Sequence, residues 1–198
     1  MNSGNEPAFL TAGRDPGSRA PAPGSLRLVQ ALVNTLNAEL CRDLLGTAAE
    51  AARWLETAGL LPPGSRLAGA EHDAVVQMRE AIRHVLAAHT HGREDAEAAR
   101  RLSVALGCAR LVTVIDPAGG VSLVSADHDP FARVVGSVAI AIAEAGAVGT
   151  WERLKSCPGQ LCGWAFYDRS ASARSRWCSM QVCGARSKMR AYRDRQLG

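Results

Sequence analysis

Aromatic residues are scarce in this 198-residue chain, at 5% of the total. No apolar run reaches the eighteen or so residues that a membrane helix requires. The longest candidate, Val134 to Val148, is interrupted by Glu144 and broken by glycines, which argues against a bilayer span and against a membrane partner. The first 25 residues lack a basic segment followed by an apolar stretch, so they do not read as a signal peptide. Their Pro, Gly and Ala content predicts a disordered leader. A Gly-rich phosphate loop, a Ser/His/Asp order and an HExxH helix are also missing, so nothing supports catalysis and no enzyme is expected. Without an export signal the expected compartment is the reducing cytoplasm, where clustered cysteines hold metal more often than they form disulfides.

What is present is concentrated near the C-terminus. Four of the six cysteines form two matched pairs, Cys157-x4-Cys162 and Cys178-x4-Cys183, with fifteen residues between the pairs. Two such hooks can close one tetrahedral four-sulfur site, whose usual occupant is Zn²⁺. A shell of four thiolates leaves no position open for water or substrate, so the expected cofactor is one structural zinc per chain. Cys41 and Cys108 read instead as buried apolar fillers. Pro158 and Gly159 let the chain reverse between the first two ligands, Trp164 to Tyr167 alternates like a short strand, and the stretch after Gly184 reads as a helix. Knuckle, strand, knuckle and helix together predict a treble-clef or zinc-ribbon-like module over residues 151–198. A module this small depends on its metal, because it cannot bury enough apolar surface alone.

The charge is divided as sharply as the cysteines. From Trp151 to Gly198 there are ten Lys/Arg against three Asp/Glu, whereas the rest of the chain holds thirteen bases and sixteen acids. A basic segment on an acidic body points to a polyanionic partner. Arg174, Arg176, Arg186, Lys188, Arg190 and Arg193 are the candidate nucleic-acid contacts, with Ser170, Ser172 and Ser175 among them, since guanidinium forks and short hydroxyls suit phosphate oxygens. A solvated basic face is the plain alternative. Trp164, Phe166, Tyr167, Trp177 and Tyr192 could stack on bases, but in so small a module they read first as its core.

Residues 26–150 read as an α+β body. Apolar spacing predicts helices over Leu26–Leu40 and His72–His89, with another from Glu94 to Leu106. Thr47-Ala-Ala-Glu50 is a capping box opening a helix that stops at Gly59. Ala109–Ile115 and Val121–Ser125 are rich in β-branched residues, and Asp116-Pro-Ala-Gly-Gly120 between them supplies turn chemistry, so they form a β-hairpin. Asp129-Pro130 caps a helix to about Ala147, apolar on most sides and therefore expected at the centre of the body. A short helix from Trp151 to Lys155 leads into the cysteine module.

Other polar residues have simpler readings. His84 and His91 can share a helix face whereas His89 and His91 diverge, and a histidine favoured at a helix end explains the group without metal. Asn34, within Val-Asn-Thr on an apolar helix, is either a satisfied structural amide or the lining of a ligand pocket.

The cysteine module resembles a known family. Cys157-x4-Cys162-x3-Phe166-x-Asp168-x-Ser170, then Arg176-Trp177-Cys178-Ser179-Met180-x2-Cys183-Gly184-x-Arg186-x-Lys188 and Tyr192-Arg193, is similar to the CGNR zinc finger. Val33-Asn34-Thr35, Arg42-Asp43-Leu44-Leu45 and Trp54…Gly59-Leu60-Leu61 resemble the ABATE domain that precedes this finger. The resemblance implies a bacterial, stress-induced transcription regulator whose finger binds nucleic acid. The family's Cys-Gly-Asn-Arg reads Cys183-Gly-Ala-Arg186 here, and Ala185 removes an amide that could cap the helix or contact a base. The expectation is a zinc-containing nucleic-acid-binding protein, with DNA favoured over RNA and a body that senses a small-molecule effector or forms a homodimer. The alternative is a small-molecule-binding or accessory protein whose zinc module is structural or docks a protein.

Overall fold

The computed structural model describes residues 11, 15 and 17–197. The expected leader, residues 1–25, lies in large part outside them. Its last residues, Gly17 to Ser25, are described and make specific contacts: Ala22 is buried and its amide donates to Gln30 Oε1 at 2.7 Å.

The described residues fold into helices with three two-stranded antiparallel hairpins. Helix α1 (Leu26–Val33) turns Leu26, Val29, Leu32 and Val33 into the core and then stops, seven residues short of the predicted end. Leu36 and Leu40 continue the helical spacing, but the chain leaves the helix at Asn34. The Thr35 hydroxyl donates back to Leu32 O at 2.7 Å. Strands β1 (Leu36–Asn37) and β2 (Arg42–Asp43) then pair as a small hairpin. Its tip carries an exposed Leu40, and Cys41 has a φ of +48°.

Helix α2 (Ala48–Thr57) opens where the sequence predicts. Thr47 Oγ1 accepts from Glu50 N at 3.2 Å, while the Glu50 carboxylate accepts from the Thr47 hydroxyl rather than from a backbone amide. Beyond it Gly59 adopts φ +72°, a left-handed helix end that a β-carbon would oppose. Helix α3 (Gly69–His91) is the spine of the fold, packing on α1 and α2 through Val75, Met78, Ile82 and Leu86. It buries Arg79, whose guanidinium forks onto Asp43 at 2.6 and 3.0 Å and so fastens the β1–β2 hairpin to the spine. Bidentate pairing satisfies a charge that would be costly to bury alone. Helix α4 (Ala96–Leu106) is capped by Asp95, which accepts from Ala98 N at 2.9 Å.

The predicted hairpin is β3 (Leu111–Ile115) with β4 (Val121–Ser125), paired from Leu111 opposite Ser125 to Ile115 opposite Val121. Helix α5 (Pro130–Ala147) starts at its Asp129 cap as expected. It is not buried all round: Val134, Val135, Val138, Ala141 and Ala145 face the core, while Glu144 and Ala147 are exposed. By length and composition alone it could cross a membrane, but its apolar face is occupied by α1 and the hairpin. Gly136 permits that packing, since a β-carbon there would lie 2.8 Å from the Ser125 side chain.

The last hairpin, β5 (Leu154–Ser156) with β6 (Ala165–Tyr167), belongs to the cysteine module by sequence and to the body by packing. Leu154, Ala165 and Tyr167 join the same core cluster as Leu32, Ile82 and Val138. Asn34 reads the edge of β6 as a strand would, accepting from Ala165 N at 2.7 Å and donating to Ala165 O at 2.9 Å. Thr90 accepts from Ser156 N at 3.1 Å and donates to Ser156 O at 2.7 Å. Arg83 donates to Val33 O in the body and to Gly163 O in the module. Position 150 is therefore a boundary of sequence pattern, not of packing.

Candidate metal centre and basic face

Both halves of the metal centre are set by local backbone geometry. In the first knuckle Cys157 N donates to Trp164 O and Cys162 N to Gly159 O, both at 2.9 Å, so the chain folds back over Pro158 and Gly159. A β-carbon on Gly159 would sit 3.0 Å from Cys162 Cβ and 3.4 Å from Cys183 Sγ, so glycine lets the sulfurs close in. In the second knuckle Ser179 Oγ accepts from Val182 N at 3.2 Å, and a π turn over Met180–Gly184 delivers Cys183 to the start of helix α6 (Ala185–Leu197).

All four predicted ligands meet. Their Sγ atoms lie within 4.8 Å of one another, and the Cys162–Cys178 and Cys178–Cys183 separations are both 3.6 Å. A tetrahedral ion with bonds of about 2.3 Å sets its sulfurs about 3.8 Å apart, whereas a disulfide needs about 2.05 Å. The sulfurs are too far apart for disulfides and suitably spaced for one structural zinc. Crowding explains why the ion is needed. Cys157, Cys178 and Cys183 are buried and Cys162 half-buried, so negative charge on these neighbouring sulfurs would go uncompensated. Four sulfurs this close become four thiolates together only when a cation joins them. Cys41 and Cys108 are exposed, correcting their expected role as fillers. Among the described residues no other group of three or more His, Cys, Asp or Glu could hold a metal ion. His84 and His91 are exposed. His89 packs edge-on against Trp151 and its Nδ1–H donates to Leu154 O at 2.9 Å, with burial pushing its pKa down, so the expected helix-end cation is a neutral ring.

The ligands close a second small core in which Trp164 and Phe166 are buried and Trp177 is partly buried. Tyr167 lies in the main core, and Tyr192 on α6 stands exposed. The candidate phosphate contacts divide. Arg174, Arg176, Lys188, Arg190 and Arg193 are exposed. Arg186 is exposed too, but Glu39 from the β1–β2 hairpin accepts from it at 2.6 Å. The pocket-lining role for Asn34 gives way to its structural reading, since its amide is committed to Ala165.

Three residues contribute in ways the sequence reading did not assign, although Asp168 stands in the finger motif. Lys155 and Asp168 form a buried pair at 2.9 Å. Asp168 also accepts from Ser170 N at 3.0 Å, Ser170 Oγ at 2.7 Å and Ser175 N at 2.8 Å, so its carboxyl is held far below the usual carboxylate range despite burial. The third is Arg19, from the expected leader, which donates to Trp177 O at 3.0 Å and Cys178 O at 2.8 Å with its guanidinium 4.9 Å above the Phe166 ring. No local spacing announces partners 159 residues apart.

Residues 26–148 match the family model ABATE, described as "Putative stress-induced transcription regulator". Residues 153–196 match the CGNR zinc finger. Arg19 and Gly17 lie before both matched segments. No curated protein matches the chain.

Proposed function

From the premise that this chain belongs to the ABATE family and carries a CGNR zinc finger, we propose that it is a cytoplasmic transcription regulator that binds nucleic acid and catalyses nothing. The observation that carries this reading is helix α6. Its thirteen residues include five Lys/Arg and one Asp, and none of its described side chains is buried. A helix without an apolar face gains little from its own protein. Anchored at one end by the metal centre, it offers Lys188, Arg190 and Arg193 to a polyanion, with Arg174 and Arg176 on the adjoining loop. An α-helix fits the major groove of B-form DNA, whereas the deep, narrow groove of A-form RNA excludes it, which favours DNA. At the first position of α6 stands Ala185, which offers a base no hydrogen bond, so contacts are assigned chiefly to phosphates. The body then senses an effector or pairs two copies.

The test is binding of zinc-loaded protein to duplex DNA and to structured RNA across a salt series. Five phosphate contacts predict a log–log slope of about −4 to −5 on duplex DNA. A flat salt dependence, or no binding to either, contradicts the proposal.

One observation favours the second reading, a small-molecule-binding protein. A mainly apolar cavity of about 590 Å³ lies between α3 and α4, lined by Val85, Ala88, His89, Ala96, Ala99 and Glu152. A copurified ligand released on denaturation would support this reading.

A further inference from the structure

Between the two knuckles the chain makes a tight loop, residues 168–176, that is more firmly built than a connector requires. Asp168 lies at its base with no exposed surface, accepting the four bonds described above. Lys155, also buried, completes the scaffold from beneath, donating to Asp168, Ala173 O and Ser175 O. At the turn Ala173 adopts φ +50°, a conformation that a residue with a β-carbon avoids unless its surroundings enforce it.

The side chains displayed on this scaffold are left unused. Arg174, Arg176 and Ser172 make no hydrogen bond or ion pair among the described residues, and they line a cavity of about 390 Å³ together with Ser170, Ser175 and Arg19. Among the described residues no acidic side chain lines it. Arg19 reaches this wall from outside the finger, held by the Trp177 and Cys178 carbonyls and by the face of Phe166. Close approach of the N-terminal segment is built in, because a β-carbon on Gly17 would collide with the Cys178 carbonyl oxygen.

We propose that this cavity is a phosphate seat, in which Arg174 and Arg176 supply charge and paired donors, Ser172 supplies a hydroxyl, and Arg19 closes the wall. Three guanidinium groups and free hydroxyls, with no carboxylate among the described lining residues, match the geometry and charge of a phosphate group. A buried ion pair and an enforced backbone hold the loop before any ligand arrives, so little ordering is paid on binding. The phosphate is either a nucleic-acid phosphodiester, as the proposed function has it, or that of a free phosphorylated compound. The cavity's chemistry is common to both.

The experiment is calorimetric titration of the zinc-loaded full chain with pyrophosphate in phosphate-free buffer, followed by duplex binding with and without pyrophosphate. Saturable one-to-one binding is expected, weakened about tenfold or more in Arg174→Gln/Arg176→Gln and unchanged in Arg53→Gln, an exposed charge on α2. Zinc content, expected at one per chain in every variant, shows that the finger remains folded. If pyrophosphate also displaces duplex, the seat takes backbone phosphate. If it binds but leaves duplex affinity unaltered, the seat takes a free phosphate compound. Absence of pyrophosphate binding, or equal binding in the double variant, overturns the phosphate seat. Duplex binding that persists in that case leaves the proposed function standing, whereas failure of duplex binding alone removes that function and spares the seat.

Discussion

The two halves of the zinc finger follow opposite rules. Its first half, β5 and β6, buries every residue of both strands and shares a core with α1, α3 and α5. Its second half, α6, buries none of its described side chains. Burying a side chain such as Leu154 contributes about 2 kcal/mol, and Asn34 and Thr90 supply the backbone pairing that an isolated hairpin would leave to water. The first half is therefore fastened by the body as well as the metal, whereas the second is fastened chiefly by the metal. The difference identifies which half is free to meet a partner. The β5–β6 hairpin is tied to the body through Leu154, Ala165 and Tyr167, while α6 and the 168–176 loop present their cations outward.

The strongest break in this comparison is Cys178→Ser. Removing one ligand is expected to abolish stoichiometric zinc, since structural sites of this kind contribute about 10 kcal/mol or more of apparent binding energy. Metal analysis should fall from one zinc per chain to none, with α6 helicity lost and the body's circular dichroism retained. Full zinc retention would contradict the ligand assignment. Next comes Asp168→Asn, which leaves the Lys155 ammonium buried without its counter-charge at a cost of about 3 kcal/mol. Because the Asp168 pKa is depressed in the fold, its contribution is fully present above the unfolded value of about 3.9 and is lost as pH falls below it. Denaturant melts should show the full gap between the two proteins at neutral pH and a narrowing gap only below about pH 4.

Asn34→Ala removes both bonds to Ala165 and leaves a buried N–H unpaired, for an expected loss of about 2 kcal/mol. Thermal denaturation checks it, and zinc should remain bound, because the metal holds the knuckles independently. The smallest effect is expected from Glu39→Gln. Both partners of the Glu39–Arg186 pair are exposed, so the melting temperature should barely move. Released from its carboxylate, Arg186 becomes available to phosphate, and duplex affinity should rise slightly at low salt. A fall in affinity would show that the hairpin tip itself contributes to binding.

Sequence pattern went furthest where the determinant is local. Cys157-x4-Cys162 and Cys178-x4-Cys183 announce the metal centre, Asp129-Pro130 announces α5, and Asp116 to Gly120 announces the β3–β4 turn. It failed where a partner lies far along the chain. Leu36 and Leu40 keep the helical period, yet Asn34 pairs with Ala165, 131 residues away, and ends α1. Periodicity also cannot say how many faces of an apolar helix are covered, so α5 is half exposed where full burial was expected. The β3–β4 and β5–β6 hairpins show the same limit. The first, the richer in β-branched residues, leaves Val112, Val114, Ile115 and Val121 exposed, whereas the short second one is buried. Which hairpin enters the core depends on what α1 and α3 present to it.

The division of the finger can be tested most directly by hydrogen exchange before and after zinc is removed with a chelator. Exchange protection is predicted to vanish from the second knuckle through α6, residues 178–197, while the amides of β5 and β6 that pair with each other and with Asn34 and Thr90 remain protected. Loss of protection across residues 154–197 as one unit would contradict the account, since it would make the finger a single metal-dependent module with no half belonging to the body.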